Sequence, residues 1–408
     1  MRLTSLDVFR GLTIAGMILA NMASPAGEKN IYPPLRHADW HGCTFTDLVF
    51  PFFLFIVGVA MAFSFAKYTE NSRDREIENL RATERAFADY AANNHPVNAY
   101  VPPKYVHPPY GKICRRAAIL FALGLFLNGF WNQGIWTFDF SVIRLMGVLQ
   151  RISLCYLFAS LIVLKIPRRG QWLMVAMMLV GYWLAMMYIP VPEYGAGNLT
   201  RVGNFGAFID RMIIPAAHLY KHDGFNNMGD PEGLFSTIPA IASTLMGYFT
   251  GEWIRQQPVQ TRTSVGLVLG GIGCLFLGYI WGFHFPLNKK IWTSSYVLYT
   301  TGWALIFLAV CYYMIEVRRL KAWSKPFEIM GLNAIAIFVA SALGIRLLVR
   351  IKIGAGEKAP NLYTIFYENV LVPWVGPLNG SLLFATITLL FWLIVAWVMY
   401  RQRWFIKI

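Results

Sequence analysis

The sequence predicts an all-α polytopic membrane protein of about ten transmembrane helices, with a further short re-entrant or interfacial helix and both termini cytoplasmic. Three observations carry this prediction. Of 408 residues, 56% are hydrophobic and only 14% are charged. Apolar runs of roughly 20 residues recur along the chain, the length a helix needs to cross ~30 Å of hydrocarbon. The 36 Lys and Arg residues gather mainly in alternate loops, the asymmetry that orients spans with the positive side in the cytoplasm. The net charge of +15 thus reads as topology. With no nucleic-acid-binding motif in the chain, no nucleic acid partner is expected.

Taken in order, the spans fall at 6–22, 46–66, 114–131, 141–164, 171–189, 233–254, 263–283, 293–315, 327–349 and 379–400. The first residues, MRLTSLDVFRG, enter their apolar run without a small-residue cleavage site, which predicts a retained span. Pro373, Glu368 and Asn369 interrupt 361–375, so that stretch reads as the re-entrant or interfacial helix. Residues 1–408 form a single transmembrane domain with a cytoplasmic loop at 67–113 and a periplasmic loop at 190–232. The inner loop begins with the helix-favouring ENSRDREIENLRATERAFADYA and ends in the proline-rich HPVNAYVPPKYVHPPYGK. The other inner connections, KIPRRG, RQQPVQTR and EVRRLKAWSK, are basic anchors that also suit a polyphosphate. The five cysteines are scattered without a C-x-x-C pair, so neither disulfides nor a metal site is expected.

One outer segment concentrates chemistry. PPLRHADWHGCTFTDLVFPFFLFIVG, residues 33–58, sets His37, Trp40, His41 and Asp47 against a very apolar run. Thr44 and Asp47, three apart, read as a capping pair for the second span. That accounts for Asp47 but not for the histidines. Imidazole accepts and returns a proton near neutral pH, and a carboxylate within reach would orient it. Arg144 and Arg151, seven apart, read as one face of a helix, with Arg151 near mid-membrane; a charge there lines a wet cavity or pairs with a buried carboxylate such as Asp7 or Glu368. Arg346 and Arg350 read as snorkelling to the interface. Asp230-Pro231-Glu232-Gly233 reads as a helix N-cap with proline first, Glu232 also being able to meet a sugar's ammonium.

Several of these segments carry a resemblance. SLDVFRG at 5–11, Asn21, His37-Ala38-x-Trp40-x-Gly42 and Asp47-Leu48-Val49-Phe50-Pro51, followed in order by RLMGVLQRISLCY (144–156), DPEGLFSTIPAI (230–241), PLNKKIWTSSYVL (286–298) and GLNAIAIFV (331–339), resemble the heparan-alpha-glucosaminide N-acetyltransferase family. The family's lumenal domain and leading span are missing from the likeness, which points to a smaller acceptor. VASAL at 339–343 stands where the family has a histidine.

The resemblance implies an acetyltransferase that takes acetyl-CoA from the cytoplasm and acetylates an amino sugar, such as glucosamine, at the outer face of the inner membrane. It implies His37 as general base or acetyl acceptor, flanked by Asp47 and Asn21. Along the same motifs, Arg144, Gln150, Arg151 and Arg10 are assigned to acetyl-CoA, and Arg36, Trp40, His41, Glu232 and Asn288 to the acceptor. Partners are acetyl-CoA, the amino sugar and the bilayer, with a homodimer also carried. The alternatives are an N-acetylglucosamine or amino-sugar permease, although no internal repeat supports one, and an O-acyltransferase of envelope polysaccharide.

Overall fold

A computed structural model describes residues 3–69, 108–354 and 359–406; most of the cytoplasmic loop expected at 67–113 lies outside the described residues. The described chain is helical, its β content being two isolated bridges. The helices are α1 (Thr4–Ala23), α2 (Phe45–Ser64), α3 (Tyr110–Gly129), α4 (Val148–Lys165), α5 (Arg168–Tyr188), α6 (Phe205–Ile213), α7 (Thr237–Gln256), α8 (Thr261–Gly282), α9 (Ser294–Tyr312), α10 (Lys325–Leu332), α11 (Ala334–Arg350), α12 (Leu362–Phe366) and α13 (Val372–Arg401).

A helix stands at each of the ten expected spans, but among the described residues length and apolarity qualify only seven segments as membrane-crossing, or eight if α10 and α11 count as one broken span. The other two, α3 and α7, are long enough but more polar. α3 carries Lys112, Arg115 and Arg116 in its first turns, and α7 buries Ser243, Thr244 and Glu252. A helix enclosed by protein need not be apolar all round, because its neighbours and not lipid meet its polar groups. α8 and α13 show the opposite face of this rule: they leave Leu269, Phe276, Ile394 and Trp397 exposed, as helices against lipid would.

Four expectations change in the structure. The span placed at 141–164 begins only at Val148, because the Asn128 amide donates to the carbonyls of Arg144 (2.9 Å) and Met146 (3.1 Å) and holds that stretch extended. Arg144 is therefore not on one helical face with Arg151, and Arg151 lies in the first turn of its helix, far from the helix middle. Residues 230–233 do not start α7, which begins at Thr237; Asp230 bonds to Arg144 instead of capping a helix. The stretch 327–349 is two helices bent by 83° around Asn333, whose side chain bonds the main chain of Trp404 and Ile406. Residues 362–375 are a separate helical piece, as the sequence suggests, but they run into α13 through a break at Gly376 (φ 79°).

The core lies where α1, α2, α4, α7 and α9 meet, with Ile14, Leu54, Tyr248 and Tyr296 fully enclosed. α2 and α7 touch backbone to backbone. A Cβ on Gly58 would sit 1.9 Å from the Thr244 carbonyl oxygen, and one on Gly247 would sit 2.1 Å from that of Phe55. Small residues that admit such approach are the usual device of membrane helix pairs. This crossing positions the N-terminal end of α2, where Asp47 sits. Gly58→Leu forces the helices apart at a cost of about 1–3 kcal/mol or more. A lowered melting midpoint in detergent is the expected result, and a midpoint equal to that of the unaltered protein would refute this account of the crossing.

Candidate active site

Asp47 belongs to the first turn of α2, and its carboxylate has two separate jobs. One oxygen, Oδ2, accepts the backbone N–H groups of Ala38 (3.0 Å) and Thr44 (3.1 Å) and lies 3.0 Å from the Thr44 hydroxyl. This is the cap that the Thr44–Asp47 spacing predicts, extended to a third residue. The other oxygen, Oδ1, lies 2.6 Å from His37 Nδ1 and 3.4 Å from Lys289 Nζ. Ionised carboxylate only accepts, so His37 carries its proton on Nδ1 and keeps the Nε2 lone pair for chemistry. Lys289 Nζ lies 3.1 Å from Nδ1, a contact that follows from the shared attraction of both groups to Asp47. The Asp47 side chain is 1% exposed and that of His37 50% exposed, a buried anchor under an accessible base.

Three one-turn helices, Ser24–Ala26, Glu28–Asn30 and Pro33–Leu35, bring the loop to this point. The Thr46 hydroxyl donates to the Pro34 carbonyl (3.2 Å), that of Thr44 to the Arg36 carbonyl (2.7 Å), and Arg36 Nε to Ile31 (2.6 Å). Arg36 thereby folds its own loop while still lining the site. The far side of the loop is held by Trp40, which donates to the Leu199 carbonyl (2.8 Å) beneath the Arg201 guanidinium, 5.0 Å from its ring.

His37 opens onto a cavity of about 570 Å³ lined also by Arg36, Trp40, Asp47, Arg144, Tyr220, Glu232, Lys289 and Trp292. Arg144 bridges Asp230 and Glu232 and lies 4.3 Å above the Tyr220 ring. Burial opposes charge on Glu232, but Arg144, with Arg151 behind it, outweighs burial and holds the carboxyl below its ordinary range. Glu232 therefore remains an anion in the cavity wall. Arg151 is fully buried, donating to Ser236 Oγ and the Gly233 carbonyl with its guanidinium 5.0 Å from the Trp292 ring; its Nε and Nη1 meet no hydrogen-bond partner among the described residues.

The remaining sequence-selected residues separate. Asn21 is exposed in the last turn of α1, between Ala20 and Ser24, which do line the cavity. His41 is exposed, stacks edge-on against Trp40, and has its pKa lowered by burial. Asn288 is fully buried, its Oδ1 accepting from Lys290 (2.8 Å) and Ile291 (3.1 Å), so it shapes the turn that presents Lys289. Gln150 is buried between α3 and α4 against Gly124. Arg10 is at the opposite end of the molecule, bonded to Asp7 (3.2 Å), beside a cavity of about 330 Å³ that Arg116 and Tyr156 also line.

Cys43, near Asp47, invites a thiol mechanism, but burial and then the Asp47 charge push its thiol up to about 12. It is no thiolate at neutral pH. Among the described residues no group of three or more His, Cys, Asp or Glu side chains converges as metal ligands would. Sequence reasoning does not select Lys289, Tyr220, Arg201 or Trp292; the tandem lysines of PLNKKIWTSSYVL are the signal for the first, whereas the others are brought in by folding alone.

With this geometry described, comparison with known proteins supplies the family. The heparan-alpha-glucosaminide N-acetyltransferase catalytic model matches residues 2–270. This chain belongs to that family. It is 27% identical over 389 residues to the heparan-alpha-glucosaminide N-acetyltransferase of Homo sapiens, covering 83% of this chain and 52% of the relative. Against the Mus musculus protein of the same name the figures are 26% over 389 residues, 83% and 53%. The chain spans about half the length of the curated relatives it matches. The match contains the whole His37–Asp47 segment, Arg144 and Glu232, but not Lys289.

Asp210, in α6, sets the shape of the Glu232 turn by accepting the N–H groups of Leu234 (2.8 Å) and Phe235 (3.3 Å). Burial pushes its carboxyl up to about 7 from 3.8. The folded protein thus holds a proton that the unfolded chain has lost, and the associated stability is present at lower pH and lost as pH rises through about 7. The melting midpoint should fall as pH rises from about 3.8 to about 7 and level off above that, and Asp210→Asn, which keeps an acceptor for both N–H groups, should flatten that fall. An unchanged slope in the variant would exclude Asp210 as its source.

Proposed function

We propose that the chain is an integral membrane acetyltransferase that moves the acetyl group of cytoplasmic acetyl-CoA to an amino sugar of the glucosamine class at the outer face of the cytoplasmic membrane. The observation that carries this reading is the His37–Asp47 pair opening onto a cavity that the anionic Glu232 also lines. The supporting fact is membership of a family whose named members are N-acetyltransferases.

In this mechanism Glu232 and Asp223 attract the acceptor as an ammonium ion, which gives up one proton to become the amine. The amine nitrogen attacks the thioester carbonyl, and its lone pair forms the C–N bond. His37 Nε2 takes the second proton from that nitrogen while Asp47 stabilises the imidazolium that results. Collapse breaks the C–S bond, and His37 returns its proton to the departing sulfur. The products are the acetamide, CoA thiol and one proton. Lys289 offers a cation to the developing oxyanion. Trp40 and Arg36 shape the acceptor pocket, with His41 outside it.

The donor is assigned to the inner end. Arg10 and Arg116 both line the cavity there, and the buried Arg116 Nε has no hydrogen-bond partner among the described residues, so the pair suits the nucleotide's phosphates. Arg151, buried beneath Trp292 with unused donors, suits the polar part of the donor arm. Residues 23–45 and 190–232 then face outside. A cysteine at Asn30 should react with an impermeant maleimide applied from outside; labelling only from the cytoplasm would invert the topology.

Proteoliposomes with labelled acetyl-CoA on the inner side and glucosamine on the outer side test the activity. His37→Ala should lower transfer by roughly 10²–10⁴-fold, the usual worth of a general base. Asp47→Asn should keep the cap through its amide oxygen but turn an N–H toward His37 Nδ1, costing a similar factor in kcat with acetyl-CoA affinity retained. His41→Ala should be nearly silent. Full activity in His37→Ala would end the assignment, and sugar uptake without acetylation would identify a carrier instead.

A further inference from the structure

Beside the His37 cavity lies a second cavity of about 580 Å³, and Arg144 and Tyr220 line both. Their linings differ in charge. The His37 cavity mixes carboxylates (Glu28, Asp39, Asp47, Asp223, Glu232) with cations (Arg36, Arg144, Arg201, Lys289, Lys290), whereas no carboxylate lines the second cavity among the described residues. Arg144 is already neutralised by Asp230 and Glu232. Beyond it the second cavity holds Arg346, Arg350 and Lys221.

Arg346 and Arg350 are one turn apart on α11, and each gives an N–H to a main-chain carbonyl, Phe130 at 3.2 Å and Asn132 at 3.2 Å. Those carbonyls tether the guanidinium groups without cancelling their charge, and further donors on each fork remain. Two tethered guanidinium forks with an ammonium nearby match the oxygens of a phosphate group. We propose that this second cavity is a phosphate subsite, so that the acceptor seats its amine at His37 and a phosphate between Arg346, Arg350 and Lys221. The inference rests on the amino-sugar reading above and adds the acceptor's class: a phosphorylated amino sugar, either soluble or linked through its phosphate to a lipid.

The test compares glucosamine with glucosamine 1-phosphate in full-length protein in phosphatidylcholine nanodiscs. The protein should acetylate the phosphate with kcat/KM about tenfold higher, the worth of one or two charge-assisted hydrogen bonds. Arg346→Gln with Arg350→Gln, which keeps an N–H for each carbonyl, should erase that preference and leave unphosphorylated glucosamine unaffected; Lys221→Gln, on an exposed loop, should reduce it partway. Calorimetric binding of glucosamine 1-phosphate, weakened about tenfold in the double variant, tests the subsite even if no amine is acetylated, an outcome that would strike only the transferase reading. In phosphatidylglycerol nanodiscs, loss of the soluble phosphate's advantage would identify a lipid phosphate as the occupant, and its retention a soluble one. Equal use and equal binding of the two sugars, or parallel losses for both in the double variant, would overturn the proposal.

Discussion

The end of this protein that carries His37 depends on the buried carboxylate of Asp47. Its Oδ2 closes the start of α2 and fixes the backbone of Ala38 and Thr44, while its Oδ1 sets the tautomer of His37 and attracts Lys289. A carboxylate with 1% exposure persists as a charge only when its lone pairs are met. Here the groups that meet them come from the loop, the helix and the 284–293 turn, so the same interaction that stabilises the helix start assembles the base. The Tyr296 hydroxyl, donating to the Asp47 carbonyl, ties that assembly to α9.

Charge is distributed unevenly around this centre. Both signs meet at the His37 cavity, its neighbour has no carboxylate among the described residues, and Arg10 and Arg116 sit by the cavity at the other end of the molecule. Arg144 lines both cavities, and its charge, spent on Asp230 and Glu232, holds Glu232 ionised.

The close approach of α2 and α7 supplies the rigidity that this site needs. Gly58 and Gly247 put main-chain atoms of one helix against the other, leaving no side chain to slide. Polar residues on α7 are consequently enclosed by protein, which is why α7 lacks the apolarity of a lipid-facing span and why apolarity alone counts fewer spans than helices. The broken helices at Asn333 and Gly376 have local causes as well: a side chain that bonds the C-terminal segment, and a backbone turned to positive φ.

Composition and the spacing of apolar runs by themselves determined that the chain is helical and where its long helices lie, because the bilayer demands a particular length and every main-chain group must be satisfied within the helix. Thr44 and Asp47 were legible as a cap since capping is local, and the His37 segment was legible as chemistry since titratable groups beside an apolar run are costly without a use. The reach of Asp47 back to His37 across ten residues depended on three one-turn helices that no periodicity marks. Arg144 left its expected helix because Asn128, sixteen residues earlier, captured its carbonyl, and Asp230 left its expected cap because Arg144 then bound it. Lys289, 252 residues from His37, joined the site only through the packing of α9 against α2. Local order was written in the sequence by short-range hydrogen bonding and hydrophobic period; the partners of the buried charges were decided by the tertiary structure, since which charges are desolvated together is a property of the assembled bundle.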